Sequence, residues 1–163
     1  MPVELRPYAP ADLPALVAIN DAAHPAVPIT PAAELAQLIA LSRLTLVADD
    51  GEPAGFVIAI APDAAYASEN FAFFRARSRD FLYVDRIVLA ERLRGRGVGP
   101  RLYAAVEDAA RADGATEVTC EVNVRPANPG SLAFHAREGF VEVGRQETKG
   151  GTVEVALLAR TVG

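Results

Sequence analysis

Between Arg92 and Tyr103 the chain reads RLRGRGVGPRLY, with glycines at 95, 97 and 99, arginines at 92, 94, 96 and 101, and Pro100 behind them. Glycines leave backbone N–H groups uncovered, and arginines add charge and paired donors. At the start of a helix the first N–H groups have no internal partner, and the helix dipole adds positive potential. Such a stretch therefore suits a phosphate or pyrophosphate. Asp85 is a lone carboxylate inside the apolar run FLYVDRIVL, Glu121 interrupts the run Val118 to Val124, and His135 lies between Phe134 and Ala136. These side chains could take or give a proton near neutral pH.

Two common phosphate patterns do not fit. A Walker loop needs Lys followed by Ser or Thr after its last glycine, and here Pro100 and Arg101 follow Gly99. A dinucleotide fingerprint needs G-x-G-x-x-G, but counting from Gly95 or Gly97 places Pro100 or Leu102 where the third glycine belongs. His24 and His135 are far apart and Cys120 is the one cysteine, so neither an internal disulfide nor a metal site is expected.

The elements that must carry these residues follow from periodicity and from start and stop signals. A short strand is expected over 3–6 and a helix over 10–22, with Leu13, Leu16, Val17 and Ile19 as its apolar stripe. Thr30, Pro31 and Glu34 read as the start of a helix to about Leu41. The runs 44–48 and 56–60 flank Asp49-Asp50-Gly51-Glu52 and form a hairpin. Ser68 is suited to cap a helix bearing Phe71, Phe73 and Phe74. A strand over 81–89 follows, rich in β-branched and aromatic residues, and then a helix from about Val98 to Asp113, ended by Gly114. Next come a strand over 118–124, a helix opened by Asn128-Pro129 and stopped at Gly139, and strands over 140–144 and 153–158 around a Lys149-Gly150-Gly151-Thr152 turn. This order predicts one α/β domain over 1–163: a mixed sheet with helices on both faces.

Composition narrows the partners. With 163 residues, 51% hydrophobic and 23% charged, the chain should bury one core. A net charge of −5 argues against a broad nucleic-acid surface, whereas a local arginine cluster can still hold a small anion. No apolar run is long enough to span a membrane, and MPVELRPYAP has no signal-peptide pattern, so a cytoplasmic protein is expected. A homodimer stays open.

Arg94-x-x-Gly97-x-Gly99 directly behind an apolar strand resembles the pyrophosphate loop of the GCN5-related N-acetyltransferase (GNAT) superfamily. Asn128-Pro129-Gly130-Ser131-Leu132-Ala133-Phe134-His135-Ala136-Arg137-Glu138-Gly139-Phe140 resembles a second motif of that family, and the element order is similar over nearly the whole chain. The resemblance implies a GNAT-like fold that takes acetyl-CoA as cosubstrate and transfers its acetyl group to a primary amine, of a small molecule or of a protein or peptide, in a ternary complex. It implies that Arg94, Gly95, Arg96, Gly97, Val98 and Gly99 hold the pyrophosphate, that Ile87 and Leu89 line the pantetheine arm, and that Asn128 belongs to the binding motif. The Leu89 N–H would lie near the thioester oxygen. Asp85 would be the base, with Glu121 the second candidate, although Asp85 could instead pair with Arg86 or another arginine as a structural ion pair. The tyrosine that commonly protonates the thiolate is replaced by His135, which either takes that role or packs as a structural ring. A non-catalytic acyl-CoA-binding domain of the same fold is the competing expectation.

Overall fold

The computed structural model describes residues 2–163. Strands β1 (Glu4–Pro7), β2 (Leu44–Asp49), β3 (Pro53–Ile60), β4 (Phe81–Leu89), β5 (Glu117–Arg125), β6 (Val141–Thr148) and β7 (Val153–Thr161) hydrogen-bond in the order β1-β2-β3-β4-β5-β7-β6. The helices are α1 (Leu13–Ala22), α2 (Ala32–Leu41), α3 (Glu69–Arg77), α4 (Val98–Ala112) and α5 (Pro129–Arg137). The fold is mixed α/β, and β4 and β5 form a parallel pair in an otherwise largely antiparallel arrangement.

The chain divides into two compact units, 1–60 with 84–106 and 61–83 with 107–163. In the first, β1, β2 and β3 are antiparallel neighbours. From Ala54 to Ile60 β3 is buried throughout, as its uninterrupted apolar sequence requires. Leu16 of α1, Leu35 and Leu38 of α2, and Val98, Leu102 and Val106 of α4 complete that core. Asn20 is also fully buried on α1, where the apolar stripe alone would not place it.

In the second unit, β7 lies between β5 and β6, antiparallel to both. Helix α3 begins as expected, the Ser68 hydroxyl accepting from the Phe71 N–H at 3.2 Å. Its Phe71 and Phe74 are buried with Phe81 and Tyr83. Gly144 of β6 is required by close approach: a Cβ there would stand 2.7 Å from Phe73 Cζ.

Two local expectations are corrected. Residues 10–12 form a 3-10 turn before α1, with the Asp12 carboxylate accepting from the Ala9 N–H at 2.8 Å and from Arg6. Thr30 does not cap α2. Pro31 holds the cap position, and the Thr30 hydroxyl instead donates to the Pro28 carbonyl and accepts from Arg86.

Candidate functional site

In the first unit, β4 ends at Leu89 and a 3-10 turn over Glu91–Leu93 leads to the glycine loop. The strand end is fixed by the Ala90 N–H, which donates to the Ala54 carbonyl at 2.7 Å. Gly55 lets β3 come close at this point: a Cβ would stand 2.7 Å from Leu89 Cδ2 and 3.0 Å from the Val88 carbonyl oxygen. Buried Leu93 on one side and buried Val98 on the other pin the loop. Between them Arg94, Gly95, Arg96 and Gly97 are exposed, whereas Gly99 is buried.

Gly95 and Gly97 both have φ of 74°, a left-handed conformation that favours glycine, and no heavy atom lies within 4 Å of the position a Cβ would take at either. Side-chain space is therefore open at both glycines, just before the N-terminus of a 15-residue helix. A helix N-terminus preceded by open glycines is the setting in which a phosphate or pyrophosphate can be held. The four arginines do not act alike. Arg92 pairs with Asp50 at 2.9 Å and with Glu52 at 3.2 Å, and Arg101 donates to the Val3 carbonyl at 2.9 Å. Arg94 and Arg96 are thus the charges nearest the exposed glycines in sequence.

Asp85 and Arg86, also in this unit, form an ion pair with Nε to Oδ2 at 3.2 Å, and their side chains are only 6% and 10% exposed. Arg86 Nη1 also donates to Asn20 Oδ1 at 2.8 Å and to Thr30 Oγ1 at 2.9 Å. Asn20 in turn donates to the Pro28 carbonyl at 2.9 Å. This buried network accounts for Asn20 inside α1. No short-range pattern joins Asn20 and Thr30 to Arg86, which lies 66 and 56 positions from them.

In the second unit, Glu121 on β5 accepts from the Tyr83 hydroxyl, which lies 2.8 Å and 2.7 Å from its two carboxylate oxygens. The parallel register that pairs Tyr83 with Thr119 brings the phenol within reach. Farther along, Asn128 caps α5, its side-chain oxygen accepting from the Ser131 N–H at 3.3 Å, which leaves its amide NH2 as a donor.

His135 is buried, 4% exposed, between Phe134 and Phe140 with ring centroids at 5.1 Å and 5.2 Å. Its Nδ1 lies 2.8 Å from the Ser131 carbonyl oxygen, which can only accept, so Nδ1 carries the proton of that bond. Burial pushes the pKa of the ring below its ordinary value, against the smaller upward effect of the Ser131 bond. A neutral ring protonated at Nδ1 has a lone pair at Nε2 and no proton there to give. The geometry therefore runs against the expected acid role and toward the structural alternative.

Among the described residues, no helix is long and apolar enough to cross a membrane.

Comparison with known proteins agrees with this arrangement. A family model described as the acetyltransferase (GNAT) family matches residues 14–140. The acetyltransferase Atu2258 of Agrobacterium fabrum is 33% identical over 67 residues, which span 41% of this chain and 46% of that protein, so the chain matches less than half the length of this relative. Two solved structures share the fold. Ard1 from Thermoplasma volcanium superposes with a TM-score of 0.80 at 19% identity, over 99% of this chain and 98% of its own. A chain of the NatC complex bound to Gag peptide and CoA does so with a TM-score of 0.75 at 16% identity, over 100% of both chains. With the family model covering well over half its length, the chain belongs to the acetyltransferase (GNAT) family.

Proposed function

We propose that the protein is an acetyl-CoA-dependent N-acetyltransferase that acts on a primary amine in a ternary complex. The observation that carries this reading is the pair of left-handed, open-sided glycines 95 and 97 at the N-terminus of α4. Their amides, with Val98, Gly99 and the guanidinium groups of Arg94 and Arg96, would hold the pyrophosphate of acetyl-CoA. Ile87 and Leu89 would receive the pantetheine arm as an added strand, and the Leu89 N–H would stabilise the oxyanion that forms on the thioester carbonyl. Asn128, through its amide NH2, completes the set assigned to the donor.

Net transfer converts an ammonium and an acetyl thioester into an amide, a CoA thiol and one released proton. The ammonium must first lose a proton to become a nucleophile. Of the two carboxylates, Glu121 is the better base. Asp85 is ion-paired with Arg86, whereas Glu121 faces the neutral phenol of Tyr83, and a hydrogen bond from a neutral phenol favours the charged carboxylate less than a full positive charge does. The nitrogen then attacks the thioester carbonyl, the C–S bond breaks, the new amide nitrogen gives its second proton to water, and the thiolate takes a proton from water. His135 serves to fix α5.

The acceptor is an amine of a small molecule or of a protein or peptide. Calorimetry with acetyl-CoA, CoA and NAD tests the donor, and binding of the first two without the third is expected. Release of free CoA thiol is then followed with a panel of polyamines, amino acids, aminoglycosides and N-terminal tripeptides. Acetyl-CoA binding without thiol release for any amine would favour the non-catalytic acyl-CoA-binding domain.

A further inference from the structure

Tyr83 is fully buried, and its ring is held by α3: Phe71 and Phe74 lie with their centroids 5.7 Å and 5.8 Å from it. Phe71 and Phe74 are themselves buried, and Phe71 packs against Phe81 at 5.9 Å. The Ser68 cap fixes where this helix begins and so which residues face the ring. Gln146 of β6 donates to Asn70 Oδ1 at 2.7 Å and fastens the helix from the other side. The phenol therefore has little freedom. Its oxygen lies almost equally far, 2.8 Å and 2.7 Å, from Glu121 Oε1 and Oε2. A phenol has one proton, and sharing it between both oxygens fixes the plane of the carboxylate as well as its position. A glutamate otherwise loses rotamer freedom when it is ordered, and here that ordering is completed before any substrate arrives.

The geometry points to Tyr83 as a positioning residue, which presets the Glu121 carboxylate for proton abstraction and links the packing of α3 to the rate of transfer. This rests on the reading of Glu121 as the base. The buried hydroxyl acts through Glu121. Because α3 sets the ring, changes in α3 that leave the donor loop intact should alter turnover through this contact.

Tyr83→Phe removes one oxygen and keeps the ring. With the fastest amine of the panel as probe, kcat should fall roughly ten- to hundredfold, while KM for acetyl-CoA stays within about twofold. Glu121→Gln should cost roughly 10²–10⁴ in kcat. In the double variant Tyr83→Phe should add nothing, because the group it positions is already gone. A crippled Glu121→Gln with an unaffected Tyr83→Phe, or with additive losses in the double variant, would overturn the positioning role while leaving the base intact. Full activity in Glu121→Gln would remove the base and this inference with it. The contact is also readable without an acceptor: in protein labelled at the glutamate carboxyl carbon, the NMR resonance lost in Glu121→Gln should move in Tyr83→Phe at constant pH. An unmoved resonance would contradict the contact itself.

Discussion

Asp85 and Arg86 are neighbours on β4 whose side chains fold onto one another, Nε to Oδ2 at 3.2 Å, in a site that leaves both nearly buried. This pairing is the reason Glu121 rather than Asp85 is proposed as the base. An acid that keeps a guanidinium partner contributes to stability and is a weak proton acceptor. Asp85→Asn should therefore lower the melting temperature and, in the folded variant, leave kcat within about threefold, well short of the roughly 10²–10⁴ that loss of a general base costs. Paired melting and steady-state measurements separate the two roles.

Arg86 should matter more for folding than for chemistry. Arg86→Met removes its bonds to Asn20 and Thr30 and leaves the Asp85 charge nearly buried without its guanidinium. Breaking a buried pair from one side typically costs about 3–5 kcal/mol. Thr30→Val removes one bond to the guanidinium and should cost less, roughly 1.5–3 kcal/mol. Denaturant titration of both variants checks the order, and a smaller loss for Arg86→Met than for Thr30→Val would contradict it.

The donor loop needs a pair of variants, because Gly97 has φ of 74°. Gly97→Val both covers the amides and strains the backbone, at roughly 1–2 kcal/mol, so its effect on binding is mixed with its effect on folding. Asn tolerates the left-handed conformation. Gly97→Asn should melt near the parent, yet weaken acetyl-CoA at least tenfold, about 1.4 kcal/mol. Calorimetry on both measures this, and unchanged affinity in folded Gly97→Asn would remove Gly97 from the donor site.

His135 makes a pH prediction. Its folded pKa is lowered, chiefly by burial, so between that value and the ordinary value near 6.5 the unfolded chain binds more protons than the folded one. The stability it protects is complete above about pH 6.5 and is lost as pH falls through that window. His135→Phe should flatten the fall of the melting temperature between about pH 7 and 5 while keeping turnover within about threefold. A loss of roughly 10² or more in kcat in a well-folded variant would restore the ring as general acid.

Sequence signals were legible where their physics is local. The caps at Ser68 and Asn128, the extent of β4, the glycine loop and the order of elements all follow from neighbours in the chain. Thr30 shows where this stops: its spacing to Pro31 and Glu34 has the pattern of a cap, but its hydroxyl is taken by Arg86, 56 positions away. Arg92 reads as part of the loop's charge and is claimed by Asp50, 42 positions earlier. Tyr83 reads as an ordinary strand aromatic, and its link to Glu121 depends on the parallel register of β4 and β5, which no short-range pattern encodes. His135 departs from a common motif in a way the sequence displays, but the direction of its proton depends on a carbonyl one turn back.

We read the reaction as acetyl transfer from acetyl-CoA to an amine with Glu121 as the base. Its most direct measurement is mass-spectrometric detection of the acetylated amine, with parallel thiol release, for the parent and Glu121→Gln at equal, saturating acetyl-CoA. One acetylated product per thiol released is expected in the parent, and a rate lower by roughly 10²–10⁴ in Glu121→Gln, with acetyl-CoA affinity unchanged. Equal rates in the two proteins, or an acetyl-CoA-saturated parent that acetylates no amine of the panel, would contradict it.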